Sequence, residues 1–370
     1  MSVLAHISKV PFIARQTFPD FRIPLADFKG HHVKALTKLT QLAPQLDLVL
    51  EVRDARAPIS TRNLLLDRAL QGKEKIIIYS KKDLSSIDLK LLRKWHEDRE
   101  KFMVIDTQKS SDMKKIINLC KSKYEEMYPP PPLGLRMIVI GMPNVGKSTL
   151  VNTLRRIGLP GVKTKVARTG FQPGITRATS EIIRICSKPE ILLYDTPGVF
   201  LPTVKDSQTM LTLSLVGTVK PNLVDPVIVA DYLLFLLNKQ DPTGNSYKKF
   251  LPHPTNDIDK LLVSIAKKIG KYKKIKKTGE IKYDEVGTAI YWVDRFRQGK
   301  ESKCIFDSDA IMKSLSKENF EKNFQEELQR VKNLNISILN EKSTTEQKKK
   351  PKKNFNERKA DESNVLFKNF

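Results

Sequence analysis

The sequence predicts an α/β domain wound on both faces of a parallel-rich sheet, followed by a smaller helical domain. Between residues 46 and 200, short β-branched runs alternate with amphipathic stretches, the pattern of strands separated by crossover helices. A glycine-rich loop joins one of these strands to one of these helices. Past Pro202 the strand signal fades and helical spacing takes over.

In chain order, the first 19 residues, MSVLAHISKVPFIARQTFP, carry Lys9 and Arg15 but no acid before Asp20. This is the charge bias of an organelle-targeting leader, so residues 1–24 are set apart from the fold. Strands are expected at DLVLEVRD (47–54), KIIIYS (75–80), FMVID (102–106), LRMIVIG (135–141), EIIRI (181–185) and EILLYD (190–195). Helices are expected between them near 60–71, 86–99, 111–127 and 147–157. YPPPPLG (128–134) cannot be helical, because proline lacks the donor and restricts the residue before it; it reads as a stiff connector. In NDIDKLLVSIAKKIG (256–270) Ile258, Leu261, Leu262, Ile265 and Ile269 fall on one helical face, with Asn256 or Asp257 as cap. YDEVGTAIYWVDRF (283–296) repeats that spacing. From about 341 the chain is polar, basic and nearly free of apolar residues, so order is expected to be lost. The expected organisation is a leader at 1–24, the α/β domain at 25–203, the helical domain at 204–340 and a basic tail at 341–370.

At 370 residues the chain is long enough for about two domains. A net charge of +25 argues for a polyanionic partner, because a strong positive field attracts phosphate-rich surfaces without reading sequence. RNA, DNA and an anionic membrane all qualify on charge alone. Cys120, Cys186 and Cys304 lack any CxxC spacing, which supports neither a zinc site nor a disulfide framework and points to a reducing compartment. The most apolar run, YLLFLLN (232–238), is far short of the ~20 residues that a spanning helix needs.

GMPNVGKS (141–148) fits GxxxxGKS, after a strand and at the opening of a helix. In such a loop the backbone of Asn144, Val145 and Gly146, with Lys147, Ser148 and Thr149 at the helix start, surrounds the phosphates. The Lys147 ammonium reaches the β/γ oxygens and the Ser148 hydroxyl binds Mg2+. DTPG (195–198) ends the strand ILLYD, where Asp195 can hold Mg2+ through water and the Gly198 amide can sense a γ-phosphate. FQPGITRA (171–178) lies between the two, and its Thr176 can complete the Mg2+ shell.

Guanine offers adjacent N1–H and N2–H donors that one carboxylate can accept, whereas adenine has no such pair. NKQD (238–241) has the letters of a guanine-reading NKxD motif but terminates a helical run. KIIIYSKKD instead places Ser80, Lys81 and Asp83 directly after a strand, and Thr107 ends the next one, where its backbone amide can meet guanine O6. The first position is serine, whose hydroxyl lacks the two-ended bridge that asparagine provides between loops.

The order SKKD (80–83), Thr107, GMPNVGKS, PGIT (173–176), DTPG resembles that of the circularly permuted YlqF/RbgA-type ribosome-assembly GTPases, in which guanine-reading motifs precede the P-loop. DFKGHHVKAL (27–36) and EVRDARAPISTRN (51–63) resemble further signatures of that family, and the likeness covers roughly 25–240. The resemblance implies a circularly permuted P-loop GTPase domain with a parallel-rich sheet, GTP and Mg2+ as ligands, and hydrolysis of GTP. The acid-free leader fits the mitochondrial branch. That branch implies a matrix location, peripheral contact with the inner membrane, and a monomer acting on the mitochondrial large ribosomal subunit and its rRNA rather than on DNA.

Most G proteins orient the attacking water with a glutamine just after DxxG. Here Val199 stands there and cannot accept a proton. The family's GHxxKA histidine maps onto His31, which the resemblance implies as the water-positioning group. Asn144 resembles the asparagine that helps related GTPases hold K+. KKIGKYKKIKK (267–277) and KKKPKK (348–353) are the runs expected to meet rRNA phosphates.

Overall fold

The computed structural model describes residues 12–27, 30–97, 99–161, 182–196, 198–274 and 280–347. Thr176, the KKKPKK run and residues 1–11 of the leader lie outside the described residues. Met1–Phe324 form one compact unit and Gln325–Phe370 a second.

The first part of the chain builds α1 (Gly30–Leu42), β1 (Leu48–Asp54), α2 (Leu64–Ala69), β2 (Glu74–Ser80), α3 (Leu89–His96), β3 (Lys101–Val104) and α4 (Ser110–Glu126). There follow β4 (Leu135–Ile140), α5 (Lys147–Gly158), β5 (Ile182–Ser187) and β6 (Glu190–Asp195). Each expected strand is present within a residue or two of its expected bounds. Two helices start later than periodicity predicts because side chains cap them: Asn63 accepts from Leu65 N–H at α2, and Asp88 accepts from Lys90 N–H at α3.

The sheet order is β3-β2-β1-β4-β6-β5, parallel throughout except for β5 against β6. Chain direction therefore brings the ends of β1, β2, β3, β4 and β6 to one edge: Asp54 pairs with Ser80, and Val139 with Asp195. All residues of central β1 are buried, as a strand covered on both faces requires. On one face α1 and α2, with Leu70 just past the end of α2, pack Ala35, Leu39, Leu66 and Leu70 against Val49, Ile138, Ile140 and Tyr194. Further along the same sheet Leu92 and Trp95 of α3 pack on Ile77 and Tyr79.

After β6 come α6 (Ser207–Val216), α7 (Pro226–Gln240), α8 (Ile258–Ile269), β7 (Tyr272–Lys274), β8 (Ile281–Tyr283), α9 (Glu285–Arg297), α10 (Ser308–Met312) and α11 (Lys317–Gln347). Asp257 is the cap of α8, accepting from Asp259 and Lys260 N–H. The apolar run 232–238 lies in α7 and is buried, and NKQD falls at that helix's end, where Asn238 donates to Thr255 O. No described helix is long and apolar enough to cross a membrane. The helix α11 continues to Gln347, past the point where polar composition predicts loss of order.

Residues 12–24, set apart as leader by their charge, contribute to the packing. Phe18 is buried, its ring 5.0 Å from that of Tyr232 and 5.5 Å from that of Phe235. Arg15 pairs with Asp231 at 2.5 Å. Charge bias could not reveal this, because the partners lie more than two hundred residues downstream.

Candidate functional site

The P-loop follows β4 and opens α5. Gly146 has φ 102, a left-handed conformation that a side chain would strain, and it immediately precedes the first turn of the helix. Asn144 is also left-handed, at φ 57. Left-handed residues at 144 and 146, directly ahead of a helix N-terminus, are the backbone setting in which such loops take up anionic oxygens. Val145 is buried, while Ser148 and Thr149 are half-buried. The Lys147 Nζ donates to Met142 O at 2.7 Å and is buried. Burial pulls its pKa down to about 8, opposed only in part by the Asp195 carboxylate. Asp195, at the end of β6, has its pKa raised by burial and drawn back by Lys147.

Gly198 packs so closely on the P-loop that an added Cβ would lie 2.6 Å from Pro143 Cα. Thr196 Oγ1 donates to Val139 O at 2.7 Å, tying the end of β6 to β4. The DTPG and P-loop segments thus form one wall.

The second wall comes from the front of the chain. Lys81 has a left-handed backbone, φ 58, and its Nζ donates to Asn144 O at 2.8 Å and to Asp54 Oδ2 at 2.7 Å. The Ser80 hydroxyl lies between Val145 O at 2.5 Å and Arg53 O at 3.0 Å. The serine that lacks an asparagine's reach is therefore supplemented: its hydroxyl and the neighbouring ammonium bridge the two loops together. Asp83 sits exposed on the turn Lys82–Leu84, its carboxyl raised by partial desolvation and by the nearby Asp106 carboxylate. Lys82 N–H donates to Ile105 O at 3.1 Å, which holds that turn beside the end of β3 and the buried Thr107. Asp83, Thr107 and Lys147 accordingly lie along one edge of one sheet.

A buried ion pair underlies this edge. Arg56 donates to both carboxylate oxygens of Asp54, at 3.0 and 2.9 Å. Burial alone would raise the Asp54 carboxyl, but the charges of Arg56 and Lys81 hold it below the usual carboxylate range. Arg56 also reaches Phe296 O and Arg297 O of α9. Asn144 Nδ2 donates to Gly217 O at the end of α6, so the P-loop is tied directly to the helices that follow the sheet.

His31 is the second residue of α1. Its neighbour His32 is buried and accepts at Nδ1 from Phe200 N–H. Asp54, Arg56, His32 and Asn63 were not singled out by motif reading; the only signal was their place within the two family-like signatures. Among the described residues no cluster of His, Cys, Asp or Glu is placed to hold a metal. A Mg2+ ion gripped by a hydroxyl, phosphate oxygens and water needs none, so Ser148 and Asp195 fit that ion.

Residues 136–275 match the family model described as 50S ribosome-binding GTPase. The chain is 38% identical to mitochondrial GTPase 1 of Saccharomyces cerevisiae over 84% of its own length and 87% of that protein. It is 33% identical to mitochondrial ribosome-associated GTPase 1 of Mus musculus, over 77% of this chain and 90% of that one. A solved structure of GNP-bound YlqF from T. maritima aligns with a TM-score of 0.47 at 20% identity, covering 73% of this chain and 97% of the other.

Proposed function

Since the chain belongs to the family of mitochondrial GTPase 1 and mitochondrial ribosome-associated GTPase 1, we propose that it hydrolyses GTP in the mitochondrial matrix while assembling or checking the large ribosomal subunit, and so serves mitochondrial translation. The observation that carries the nucleotide reading is the bridge from Lys81 and Ser80 to the P-loop carbonyls of Asn144 and Val145. It ties the segment read here as base-binding to the P-loop despite their reversed order, which supports the reading of a shared nucleotide site.

In this reading Asp83 accepts the guanine N1–H and N2–H, the Thr107 amide meets O6, and the aliphatic stem of Lys81 lies along the base. Residues 144–149 surround the phosphates, and Gly198 senses the γ-phosphate. Ser148 and Asp195 would hold Mg2+, with Thr176 joining them; the ion neutralises charge developing between the β- and γ-phosphates. Lys147 adds a positive charge that is poorly solvated in the free protein and so is released to the phosphates at little desolvation cost. His31 orients the attacking water in place of the glutamine that Val199 replaces. Asn144 contributes to K+ binding beside the phosphates.

The partner surface in this reading is the β7–β8 ribbon. Lys273 and Lys282 face each other directly across its two strands, an arrangement that is unfavourable unless an anion lies over it. On the other face Tyr272 packs on Tyr283, centroids 6.1 Å apart, and is 47% exposed. Charge together with an aromatic platform suits rRNA. Peripheral contact with the inner membrane would draw on the same positive charge.

In this reading nucleotide state reaches the helices after the sheet, because the segment after Gly198 runs into α6 and Gly217 at its end holds Asn144. GTP therefore favours the subunit-bound form and hydrolysis releases it. Pelleting with mitochondrial large subunits tests this: retention in a GTP analogue and loss in GDP is expected, and equal retention in both would sink the proposal. The aliphatic Val199 favours one other reading, an rRNA-binding protein gated by nucleotide with little turnover. Turnover measured with and without subunits, in wild type and His31→Ala, separates the two.

A further inference from the structure

The residues just after DTPG are held from three directions. Val199 N–H donates to Gly141 O at 3.2 Å. The Val199 carbonyl accepts from Asn63 Nδ2 at 2.7 Å, and Phe200 N–H donates to His32 Nδ1 at 3.3 Å. Asn63, Val199, Phe200 and His32 are all buried, so water cannot replace these bonds. The first bond fixes the peptide plane between Gly198 and Val199; the other two fix both polar groups of the next plane.

Each brace comes from a different part of the chain. His32 lies in the first turn of α1, next to His31, and presents Nδ1 as an acceptor, which in the neutral ring leaves the proton on Nε2. Asn63 divides its amide: Oδ1 caps α2 by accepting from Leu65 N–H at 3.1 Å, and Nδ2 is spent on Val199. A cap needs only the oxygen, so the amide nitrogen is the part that a capping role does not explain.

We propose that His32 and Asn63 are positioning residues for GTP hydrolysis. By bracing the Val199–Phe200 peptide plane, next to the plane that the Gly141 bond holds, they fix the direction in which the Gly198 amide meets the γ-phosphate and the place where attacking water is held. Val199 itself is aliphatic and buried, so the backbone, and not a side chain at this position, carries the geometry. The inference rests on the assignment of Gly198 to the γ-phosphate made above.

The experiment is single-turnover GTP hydrolysis by the full chain, with GDP affinity and melting temperature measured alongside. Asn63→Asp and Asn63→Ser both retain a capping oxygen for α2 but lose the amide donor, one with a charge and one without. Both are expected to slow hydrolysis roughly five- to tenfold, as loss of about one hydrogen bond in the transition state would, with GDP affinity within about twofold of wild type. His32→Asn puts an acceptor near the Nδ1 position and is expected to keep at least about half the rate, whereas His32→Gln reaches the Nε2 position and falls like Asn63→Ser. Equal rates for His32→Asn and His32→Gln, wild-type rates in both Asn63 variants, or GDP affinity falling in step with the rate would each overturn the proposal. Wild-type affinities that do not distinguish a GTP analogue from GDP would instead sink the assignment of Gly198, leaving the rate comparison intact.

Discussion

Raising the pH from 8 to 9 is expected to change how many protons accompany nucleotide binding. Lys147 is buried, and its ammonium has a pKa of about 8 against the ordinary 10.5. The difference corresponds to about 3 kcal/mol by which burial disfavours the charged form. Phosphate oxygens placed beside Nζ return the pKa toward its ordinary range, so the bound lysine is protonated throughout. The free protein is about half protonated at pH 8 and about one-tenth protonated at pH 9, so uptake should rise from about 0.5 to about 0.9 proton per nucleotide. Affinity should accordingly fall by up to about tenfold per pH unit above 8. Calorimetry in buffers of different ionisation heat gives the proton count directly. Lys147→Met keeps every other source of protons, guanine N1 included, and subtracts only this one. Uptake below about 0.2 proton at pH 9, or equal uptake in wild type and Lys147→Met, would refute the argument. The sign for stability follows from the same shift. Between about 8 and 10.5 the unfolded chain binds more protons at Lys147 than the folded one, so this group's penalty on the free protein is full below about 8 and is relieved as pH rises through that window.

Asp83→Asn should weaken GTP and favour xanthosine triphosphate, whose ring presents an oxygen where guanine has its amino group; competition binding reads this directly, and unchanged preference would remove Asp83 from the base site. Arg56→Met leaves the Asp54 carboxylate buried with only Lys81 beside it, and should lower stability by about 3–5 kcal/mol in denaturant unfolding. Phe18→Ala should cost about 3 kcal/mol through the cavity beside Tyr232 and Phe235, read as a lower midpoint in denaturant unfolding. Replacing Lys273 and Lys282 together with glutamine should weaken subunit binding and flatten its dependence on salt, by about two units of slope if each lysine meets one phosphate; an unchanged slope would show that the ribbon faces away from RNA.

Much of the α/β layout was legible because its signals are local. A β-branched run followed by glycine, lysine and serine at fixed spacing specifies strand, loop and helix within about ten residues, and β4, Gly146 and α5 follow it closely. The β7–β8 ribbon was not legible: its lysines make strands of Tyr272–Lys274 and Ile281–Tyr283 look like a charged run, and only the pairing of Tyr272 with Tyr283 gives them a shape. The packing of Phe18 was hidden for a related reason, since a targeting-like charge bias says nothing about what a single aromatic ring can reach.

By itself the sequence determined the chemistry available and its order along the chain: a carboxylate after one strand, a glycine-rich GxxxxGKS loop after another, and DTPG after a third, with the proposed base-reading residues ahead of the proposed phosphate-binding ones. Parallel strands then oblige those ends to share an edge, whatever the order in which the chain visits them. Only the tertiary structure decided how the edge is held together. The contacts of Lys81 with Asn144, of Asn144 with Gly217, and of Asn63 and His32 with the residues after Gly198 join positions 63 to 168 apart in the chain. Such partners are chosen by burial and distance after the sheet has formed, and neither leaves a periodicity in the sequence.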